Sequence, residues 1–593
     1  MSFRRVGGQC VAVEPPTAEH ARILGKSRSA TFGAMGSVDE PWWRRSVIYQ
    51  VYPRSFADSD GDGIGDIRGI IARLDHLVAL GVDAVWLSPV YLSPQADNGY
   101  DIADYQSVDP MFGTLADLDD LIAALHERGL RLVMDLVVNH TSDEHPWFIA
   151  SRDPGSDKRS WYFWRPGQGS QPPNNWSSVF LGPAWTQDEG TGEYYLHSFT
   201  PRQPDLNWDE PRVRGAVYAM MRWWLERGVD GFRMDVVNLI AKPDGLPDAP
   251  VGTTGGDQLP MVTGNPRLHE HLAEMRREVF DRYPDRAFIT VGEMLAVTPE
   301  QAVLVTDPER RELDMVFQFE HVDVDHGPLG KYDPRPLELP KLKASLARWQ
   351  RALAERGWNS LYFNNHDQPR ALSRWGETRR YWRESATLLA GILHMHRGTP
   401  YVYQGEEIGM TNYPFAQREE FRDVEAARAY DVAIGMGLPP EMILATMARM
   451  GRDNARTPMQ WDSGDGAGFT TGQPWLPTNP NHTWLNVAAQ ADDPASVLAF
   501  YRRLIALRKS EDALTQGTFT LLEPDHPSLW AFLRESDEAR LLVVGNLSGE
   551  DLPTPDDVPI GEAATLLLAN YPDSTGGGPA VLRPWEFRAV YVR

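Results

Sequence analysis

The stretch GFRMDVVN, residues 231–238, places a cation and a carboxylate inside an otherwise apolar run. In a β-strand, side chains two residues apart point to the same side, so Arg233 and Asp235 would share one face. Burying a charge costs free energy unless the charge is paired or used. The spacing therefore predicts a strand whose carboxylate is held by an arginine for chemical work.

Polar residues also stand near the ends of four other strand-like runs. A single aspartate at a strand end is more often a helix cap or an ion-pair partner than a catalytic group. Coincidence on five strands is harder to explain by local structure, and the set predicts one shared cavity. The converging residues are Tyr100, Asp101, His140, Arg233, Asp235, Glu293, His366 and Asp367.

Several carboxylates without a metal-type ligand set suit glycoside hydrolysis. One carboxylate attacks or stabilises the sugar cation, and a second, with a raised pKa, protonates the leaving oxygen. Aromatic side chains suit the apolar faces of pyranose rings, and the chain has 20 Trp, 20 Tyr and 21 Phe. Trp-rich segments are also common in protein cores, so the aromatic content alone does not decide the function.

Short β-branched or aromatic runs alternate with amphipathic helical segments from residue 46 onward, which predicts a (β/α)8 barrel. The competing fold is a doubly wound open sheet, but the sequence has no GxGxxG turn and no Walker loop. In such barrels the working residues lie at the C-terminal ends of the strands. The eight runs are 46–53, 83–90, 130–140, 229–236, 287–294, 314–321, 359–367 and 399–407.

Two further regions complete the predicted domain organisation. Residues 141–208 are too long and irregular for an ordinary loop, and they predict a subdomain over the barrel mouth. Residues 516–593 alternate short strands with Gly, Pro and Asp turns, which predicts a C-terminal antiparallel β-sandwich. The barrel would comprise residues 41–140 and 209–515.

Composition excludes several classes of partner. The formal charge of −24 argues against nucleic acid and anionic membranes, which need basic patches. Cys10 is the single cysteine, so no intrachain disulfide can form. Residues 1–40 lack the continuous apolar segment of a signal peptide and read as a disordered extension, with Met35 as an alternative start. We therefore expect a cytoplasmic protein, with its oligomeric state undecided.

Four motifs, in chain order and each on the expected strand, resemble those of the α-amylase superfamily, glycoside hydrolase family 13. The resemblance covers nearly everything from residue 41 onward. The motifs are DLVVNH (135–140), GFRMDVVN (231–238), VGEM (291–294) and NNHDQPR (364–370).

The resemblance implies a role for each central residue. Asp235 would be the nucleophile, Glu293 the general acid/base and Asp367 the stabiliser of the transition state. Arg233 would orient Asp235 and lower its pKa, because a nearby positive charge favours the ionised carboxylate. Tyr100, Asp101, His140 and His366 would bind the sugar in the glycone subsite.

Further motifs are similar to the oligo-1,6-glucosidase branch of that family: QPDLN within 202–208, QFEH (318–321) and RDNARTPMQWD (452–462). In that branch, valine after the nucleophile accompanies preference for α-1,6 linkages, and here the residue is Val236. The implied function is an exo-acting α-glucosidase that hydrolyses short α-1,6-linked gluco-oligosaccharides with retention. The aglycone side would be lined by Phe163, Phe180, Gln203 and Arg456.

The acidic loop DSDGDGIGD, residues 58–66, follows the first strand. Oxygen ligands at alternating positions suit a hard cation, although the loop is not a standard EF-hand. The alternative is an acidic surface turn without a metal. The branch that the chain resembles often binds Ca²⁺ or Mg²⁺ here, which implies a structural ion held by Asp58, Asp60, Asp62, Asp66 and the carbonyl of Ile64.

Three alternatives stay open at this stage. An α-1,4-preferring glucosidase or a transglucosylating relative, such as a sucrose isomerase, trehalose synthase or α-glucosyltransferase, would share the same three carboxylates. Residues 322–335 lack the arginine-rich loop typical of sucrose isomerases, which weakens that interpretation. A non-enzymatic barrel subunit of a transporter is disfavoured because all three carboxylates are in place.

Overall fold

Eight parallel strands form the central sheet, and they occupy the eight runs that the sequence predicts. Their spatial order is β6-β5-β4-β3-β2-β1-β8-β7, and a single parallel bridge between Val316 and Asn359 joins β6 to β7. The sheet is therefore closed, which confirms the predicted barrel. The strands are Ile48–Val51 (β1), Ala84–Leu87 (β2), Arg131–Val137 (β3), Gly231–Asp235 (β4), Ile289–Glu293 (β5), Met315–Phe317 (β6), Ser360–Leu361 (β7) and Thr399–Tyr403 (β8).

The strand β4 begins at Gly231, a position where the backbone conformation and the close neighbouring strand require glycine. Gly231 has a φ of 158°, and a Cβ at this position would lie 2.1 Å from the carbonyl oxygen of Ile289 on β5. The absence of a side chain lets the two strands approach closely. Their parallel pairing, Gly231 with Ile289 through Met234 with Gly292, brings the ends of β4 and β5 together at the same rim.

Helices surround the barrel and fill the long connections. They are Ile67–Ala72 (α1), Leu74–Leu80 (α2), Leu115–Glu127 (α3), Pro146–Ser151 (α4), Pro211–Glu226 (α5), Leu259–Thr263 (α6), Arg267–Glu278 (α7), Pro299–Thr306 (α8), Leu339–Ala352 (α9), Ala371–Trp375 (α10), Trp382–His394 (α11), Val424–Gly435 (α12), Pro440–Met450 (α13), Asp453–Arg456 (α14), Val487–Gln490 (α15), Val497–Ser510 (α16) and Asp512–Thr515 (α17).

The segment between β3 and α5 contains little regular structure. Its three short strands, Trp164–Arg165, Trp185–Gln187 and Tyr194–Leu196, pair antiparallel in a small sheet of their own. Aromatic rings pack around this sheet; the Phe148 and Trp164 rings, for example, stack with centroids 5.6 Å apart. Three further antiparallel pairs lie in the connections after β2, β4 and β6. They are Tyr91–Leu92 with Asp104–Val108, Val251–Gly252 with Gly255–Gly256, and His326–Gly327 with Gly330–Pro334.

The C-terminal region is a five-stranded antiparallel sheet with the order β9-β10-β11-β13-β12. Alternate residues of β10 belong to different cores: Trp530 and Phe532 pack with the barrel, whereas Leu529, Ala531 and Leu533 face a separate cluster. A two-stranded pair, Leu552–Pro553 with Val581–Leu582, contributes Leu582 to that second cluster. The strands are Thr518–Leu522 (β9), Leu529–Glu535 (β10), Arg540–Asn546 (β11), Thr565–Ala569 (β12) and Phe587–Tyr591 (β13).

The computed structural model describes residues 5–6, 9–10, 41–252, 255–328, 330–560, 564–576 and 581–592. The predicted disordered extension, residues 1–40, lies outside the described residues except for an antiparallel pairing of Arg5–Val6 with Gln9–Cys10. Among the described helices, none is both long enough and apolar enough to cross a bilayer.

Candidate active site

A cavity of about 380 Å³ opens at the C-terminal ends of the barrel strands. Side chains from the ends of β4, β5 and β7 and from the loops after β2 and β3 meet there. The cavity wall includes six residues that the sequence predicts, namely Tyr100, His140, Asp235, Glu293, His366 and Asp367. The barrel thus brings together groups that lie up to several hundred residues apart in the chain.

The guanidinium of Arg233 joins three carboxylates beneath this cavity. Its Nη1 lies 2.7 Å from Oδ1 of Asp235 and 2.9 Å from Oδ1 of Asp135, and its Nη2 lies 2.6 Å from Oε1 of Glu293. Only 1% of the Arg233 side chain is exposed. One buried cation therefore fixes both the nucleophile and the acid/base that the family resemblance implies.

Burial raises the pKa of Asp235 well above its usual value, and the carboxylates of Glu293 and Asp135 act in the same direction. Arg233 lowers that pKa, as expected from the sequence, but it does not outweigh burial. A single guanidinium faces three carboxylates here, so its positive charge is shared among Asp135, Asp235 and Glu293. The contact with Arg233 is therefore the one that favours the ionised form of Asp235.

Val236 follows the nucleophile in an unusual backbone conformation. Its φ of 36° and ψ of 41° lie in the left-handed region, which β-branched residues rarely adopt. In this conformation its N–H donates a hydrogen bond of 3.1 Å to Oε2 of Glu293, and its side chain forms part of the cavity wall. The turn after β4 thus links the residue that follows Asp235 directly to Glu293.

Asp367 has the opposite electrostatic setting to Asp235. Burial alone would raise its pKa, but His366, Arg452 and Arg456 hold it well below the usual range. Oδ2 of Asp367 lies 3.0 Å from His366, and Oδ1 lies 3.1 Å from Arg452 and 2.9 Å from Arg456. Asp367 consequently stays ionised, as a stabiliser of developing positive charge must.

The far wall of the cavity is flat and aromatic. The Tyr100 ring stacks on His366 with centroids 5.1 Å apart, and its hydroxyl donates to Oδ2 of Asp135 at 2.9 Å. Nε2 of His140 lies 3.0 Å from the Tyr100 carbonyl oxygen, and burial lowers the His140 pKa to about 4, so this imidazole is neutral near pH 7. Such a wall offers an apolar face to a pyranose ring.

Three residues expected from the sequence lie elsewhere. Asp101 accepts hydrogen bonds from the N–H groups of Ala96 and Asp97 and shapes its own loop instead of facing the cavity. Phe163 packs in the core of the inserted segment. Arg456 lies behind Asp367, with Nε donating to the His366 carbonyl, and is absent from the cavity wall.

The sequence analysis missed several residues of the cavity wall, among them Asp97 and Arg452. Asp97 lies on the wall, where it accepts from Gln203 at 3.1 Å and pairs with Arg452, also at 3.1 Å. Burial raises the pKa of Asp97 to about 6. The sequence signal that could have found Arg452 is its spacing. It precedes Arg456 by four residues, which places the two side chains on the same face of a helix.

The cavity wall also includes Gln203, Phe180 and Val236, which the sequence predicts on the aglycone side, and Lys331 and Glu425, which it does not predict. The guanidinium of Arg452 lies 5.1 Å from the Phe180 ring centroid. Nζ of Lys331 donates to the Asp367 carbonyl oxygen and pairs with Glu425, each at 3.0 Å. These contacts tie the rim of the cavity to the loop that carries Asp367.

Comparisons with known proteins agree with this geometry. The profile of the α-amylase catalytic domain matches residues 50–517. Oligo-1,6-glucosidase of Parageobacillus thermoglucosidasius is 52% identical over 567 residues, which cover 94% of this chain and 100% of that protein.

Solved structures are similar over most of the chain as well. A mutant trehalose-6-phosphate hydrolase of Bacillus licheniformis superimposes with a TM-score of 0.88 at 42% identity, covering 93% of this chain and 100% of that chain. Isomaltulose synthase of Klebsiella sp. LX3 has a TM-score of 0.90 at 38% identity, with the same coverage.

Replacing Arg233 by methionine should strongly destabilise the fold. The substitution leaves three buried carboxylates without their cation, and breaking such a cluster costs about 3–5 kcal/mol of unfolding free energy. Burial raises the folded-state pKa values of Asp135 and Asp235, and Arg233 lowers them, so removing the cation raises both further and stability falls as pH rises through that interval. Denaturant unfolding should therefore show a larger loss at pH 7.5 than at pH 5.

The matched control is Arg128→Met, which removes a solvent-exposed pair with Asp75. Exposed pairs contribute about 0–1 kcal/mol, so this variant should unfold almost like the parent. Equal behaviour of the two variants would contradict the role given to Arg233.

Proposed function

The chain belongs to the α-amylase family of glycoside hydrolases, and we propose that it is an exo-acting, retaining α-glucosidase. It would release glucose from the non-reducing end of short α-1,6-linked gluco-oligosaccharides. The observation that carries the proposal is the Arg233 guanidinium bound to both Asp235 and Glu293 at the base of the cavity. Similarity to an oligo-1,6-glucosidase over nearly the whole chain supports the choice of substrate.

The geometry supports a double displacement. Asp235 attacks the anomeric carbon while Glu293 gives its proton to the leaving oxygen, and a glucosyl ester of Asp235 forms as the glycosidic bond breaks. Negative charge then leaves Asp235 and appears on Glu293, but both remain in contact with Arg233. Because the cation already faces both positions, the transfer needs little electrostatic reorganisation.

The second displacement reverses these roles. Glu293, now ionised, takes a proton from water, and the resulting oxygen nucleophile displaces Asp235 from the anomeric carbon with net retention. Asp367 keeps its charge in both steps because His366, Arg452 and Arg456 depress its pKa. It can therefore stabilise the sugar cation whichever carboxylate is protonated.

The closed glycone end supports exo-action. Asp97 accepts from Gln203 and pairs with Arg452, which also contacts Asp367, so these side chains form a continuous wall. A wall at this position leaves room for a terminal sugar and blocks passage of a longer chain.

The cytoplasmic location stays a prediction from the sequence.

The proposal is tested by measuring glucose release from isomaltose, maltose and sucrose with the products separated by chromatography. We expect isomaltose to be hydrolysed with the highest kcat/KM and to yield glucose alone. Asp235→Asn should lose about four orders of magnitude in kcat because the amide is not a nucleophile. Asp75→Asn, at an exposed site on α2, is the control and should keep full activity.

Other products would point to a different member of the family. Faster cleavage of maltose would shift the assignment to α-1,4 linkages. Accumulation of new disaccharides would indicate glucosyl transfer to a sugar, the activity class of the isomaltulose synthase that the fold resembles. Near-normal activity of Asp235→Asn would refute the catalytic assignment altogether.

We expect linkage preference to depend on Val236. Its Cβ branch stands on the cavity wall beside the nucleophile, where the first aglycone sugar must pass. Val236→Thr keeps the volume but adds a hydroxyl, and a single group changes discrimination by about 1–3 kcal/mol. The ratio of kcat/KM for maltose to that for isomaltose should rise about tenfold, which corresponds to about 1.4 kcal/mol.

Val179→Thr is the matched control, since Val179 is the other valine on this wall but does not adjoin the nucleophile. Its maltose-to-isomaltose ratio should equal that of the parent. An unchanged ratio in Val236→Thr would remove this residue from the explanation of specificity.

We also propose a structural cation, Ca²⁺ or Mg²⁺, in the acidic loop after β1. Carboxylate oxygens of Asp58, Asp60 and Asp66 lie within 4.8 Å of one another, a separation that suits a hard ion with oxygen ligands. Asp58 also accepts from the Thr470 hydroxyl at 2.5 Å, which links this loop to the region after β8. Asp62, expected as a ligand, lies outside the cluster, and its carboxylate accepts from the Ile64 N–H.

Chelation should reveal this ion as a change in thermal stability. Free Ca²⁺ at one hundred times its dissociation constant would add about 2.7 kcal/mol to the unfolding free energy of the native state. Calorimetry with Ca²⁺ and with a chelator should therefore give separate transition temperatures, with activity per folded molecule unchanged. Asp60→Asn should abolish the difference, whereas Asp62→Asn should retain it; equal temperatures in the parent would refute the site.

A further inference from the structure

A buried glutamine lies behind one of the histidines of the catalytic cavity. Gln50 is the third residue of β1, it is 1% exposed, and it is absent from the cavity wall. Its Nε2 lies 2.9 Å from Nδ1 of His366, which does line the cavity. Gln50 therefore contacts a residue of the site without having access to the substrate.

The direction of this hydrogen bond follows from the chemistry of the amide. An amide nitrogen carries two N–H groups and can only donate. Nε2 of Gln50 lies 3.1 Å from Oγ of Ser88 as well as 2.9 Å from His366, so each N–H has its own acceptor. Nδ1 of His366 must therefore present a lone pair, which means that this nitrogen carries no proton.

The imidazole of His366 is neutral near pH 7. Burial lowers its pKa, and the positive charges of Arg456 on α14 and Arg233 on β4 act in the same direction. Asp367, the next residue of the same loop, raises the pKa but does not outweigh burial. A neutral imidazole carries one proton, and with Nδ1 bare that proton is on Nε2.

Aromatic rings restrict the plane of this imidazole. Tyr100 and Tyr52 stack on it with centroids 5.1 Å and 6.1 Å away, and Trp86 meets it edge-on at 5.9 Å. Neither tyrosine is charged near pH 7, because burial raises the pKa of both hydroxyls. The rings thus orient His366, and the hydrogen bond from Gln50 decides which nitrogen holds the proton.

The position of the proton matters for Asp367. Nε2 of His366 lies 3.0 Å from Oδ2 of Asp367, so the Nε2–H donates to this carboxylate. The other tautomer would place a nitrogen lone pair against the carboxylate oxygen, and the two would repel. A neutral donor also holds Oδ2 without adding a third positive charge to those of Arg452 and Arg456, so the charge of Asp367 stays available to the sugar cation.

We propose that Gln50 is a positioning residue that fixes the Nε2–H tautomer of His366 and, through it, the orientation of the Asp367 carboxylate. The inference rests on the proposed function, in which Asp367 stabilises the sugar cation. In a histidine, the hydrogen bond made by one ring nitrogen determines the protonation of the other. Gln50 acts in this way from inside the barrel, one residue removed from the substrate.

The test is Gln50→Glu, which keeps the shape of the side chain and replaces the donor by a carboxylate. At low pH one proton lies between the new carboxylate and Nδ1, and the Nε2–H still donates to Asp367. As pH rises this proton is lost, and the new carboxylate draws the remaining imidazole proton to Nδ1. The alkaline limb of kcat/KM for isomaltose should therefore shift to lower pH by about one unit, with the parent activity nearly kept at pH 5.

Gln350→Glu is the matched control, since Gln350 is also a buried glutamine but bonds to the backbone of Arg397. Its alkaline limb should coincide with that of the parent. A purely structural role for Gln50 would lower activity by the same factor at every pH. That result in a Gln50→Glu protein that unfolds like the parent, or an alkaline limb equal to that of Gln350→Glu, would overturn the inference.

NMR of the histidine ring nitrogens in the parent protein covers the case in which Gln50→Glu folds poorly. With isotopically labelled histidine, the signals of His366 are identified by their absence in His366→Asn. We expect a bare Nδ1 and a protonated Nε2 at pH 7. A proton on Nδ1, in the other tautomer or in an imidazolium, would overturn the inference.

Gln50→Met keeps the volume of the side chain and removes the donor. It should show both tautomers of His366 and reduce kcat for isomaltose about tenfold with KM nearly unchanged, because the lost contact acts on the transition state. A single Nε2–H tautomer in Gln50→Met would show that Gln50 does not set it. Failure of the parent to hydrolyse isomaltose would instead overturn the proposed function, whereas the tautomer is measured without turnover, so the two failures are distinguishable.

Discussion

A single buried guanidinium carries the electrostatic organisation of this protein. The single positive charge of Arg233 lies against the carboxylates of Asp135, Asp235 and Glu293, and it lowers the cost of burying negative charge at this position. The barrel is what makes the arrangement possible, because neighbouring parallel strands deliver their last residues to one rim. Stability and chemistry therefore depend on the same contact, and a change at Arg233 affects both.

The two aspartates of the site differ because their cations are arranged differently. Asp235 shares one arginine with two other carboxylates, and burial dominates its pKa. Asp367 receives charge from Arg452, Arg456 and His366 and stays ionised despite the same burial. The carboxylate that we propose as the nucleophile is thus held less firmly as an anion than the carboxylate that we propose as a stabiliser of charge. The contrast is set by Arg452 and Arg456, neither of which is on a strand.

Most of the fold and the central chemistry could be predicted from the sequence, because both rest on local signals. Each strand has its own run of β-branched or aromatic residues, and the carboxylates to which we assign catalysis, Asp235, Glu293 and Asp367, lie at or near the ends of such runs. Side chains on loops were less predictable. Around NGYDIADY the sequence does not show that Asp101 turns back to accept from the N–H groups of Ala96 and Asp97, or that Asp97, just before this motif, lies on the cavity wall instead. Likewise the sequence analysis named Arg456, whereas the structure places Arg452, just before α14, on the cavity wall.

Linkage specificity has a backbone component that residue type alone does not convey. Val236 adopts a left-handed conformation that costs of order 1–3 kcal/mol for such a residue, and this conformation aims its N–H at Glu293. The side chain that borders the aglycone sugar and the hydrogen bond that positions the acid therefore belong to one strained residue. A substitution there changes the shape of the wall and the freedom of the backbone together. Glycine would relax the turn and loosen Glu293, whereas threonine would keep the β-branch and change mainly the chemistry of the wall, so the two substitutions separate the backbone effect from the side-chain effect.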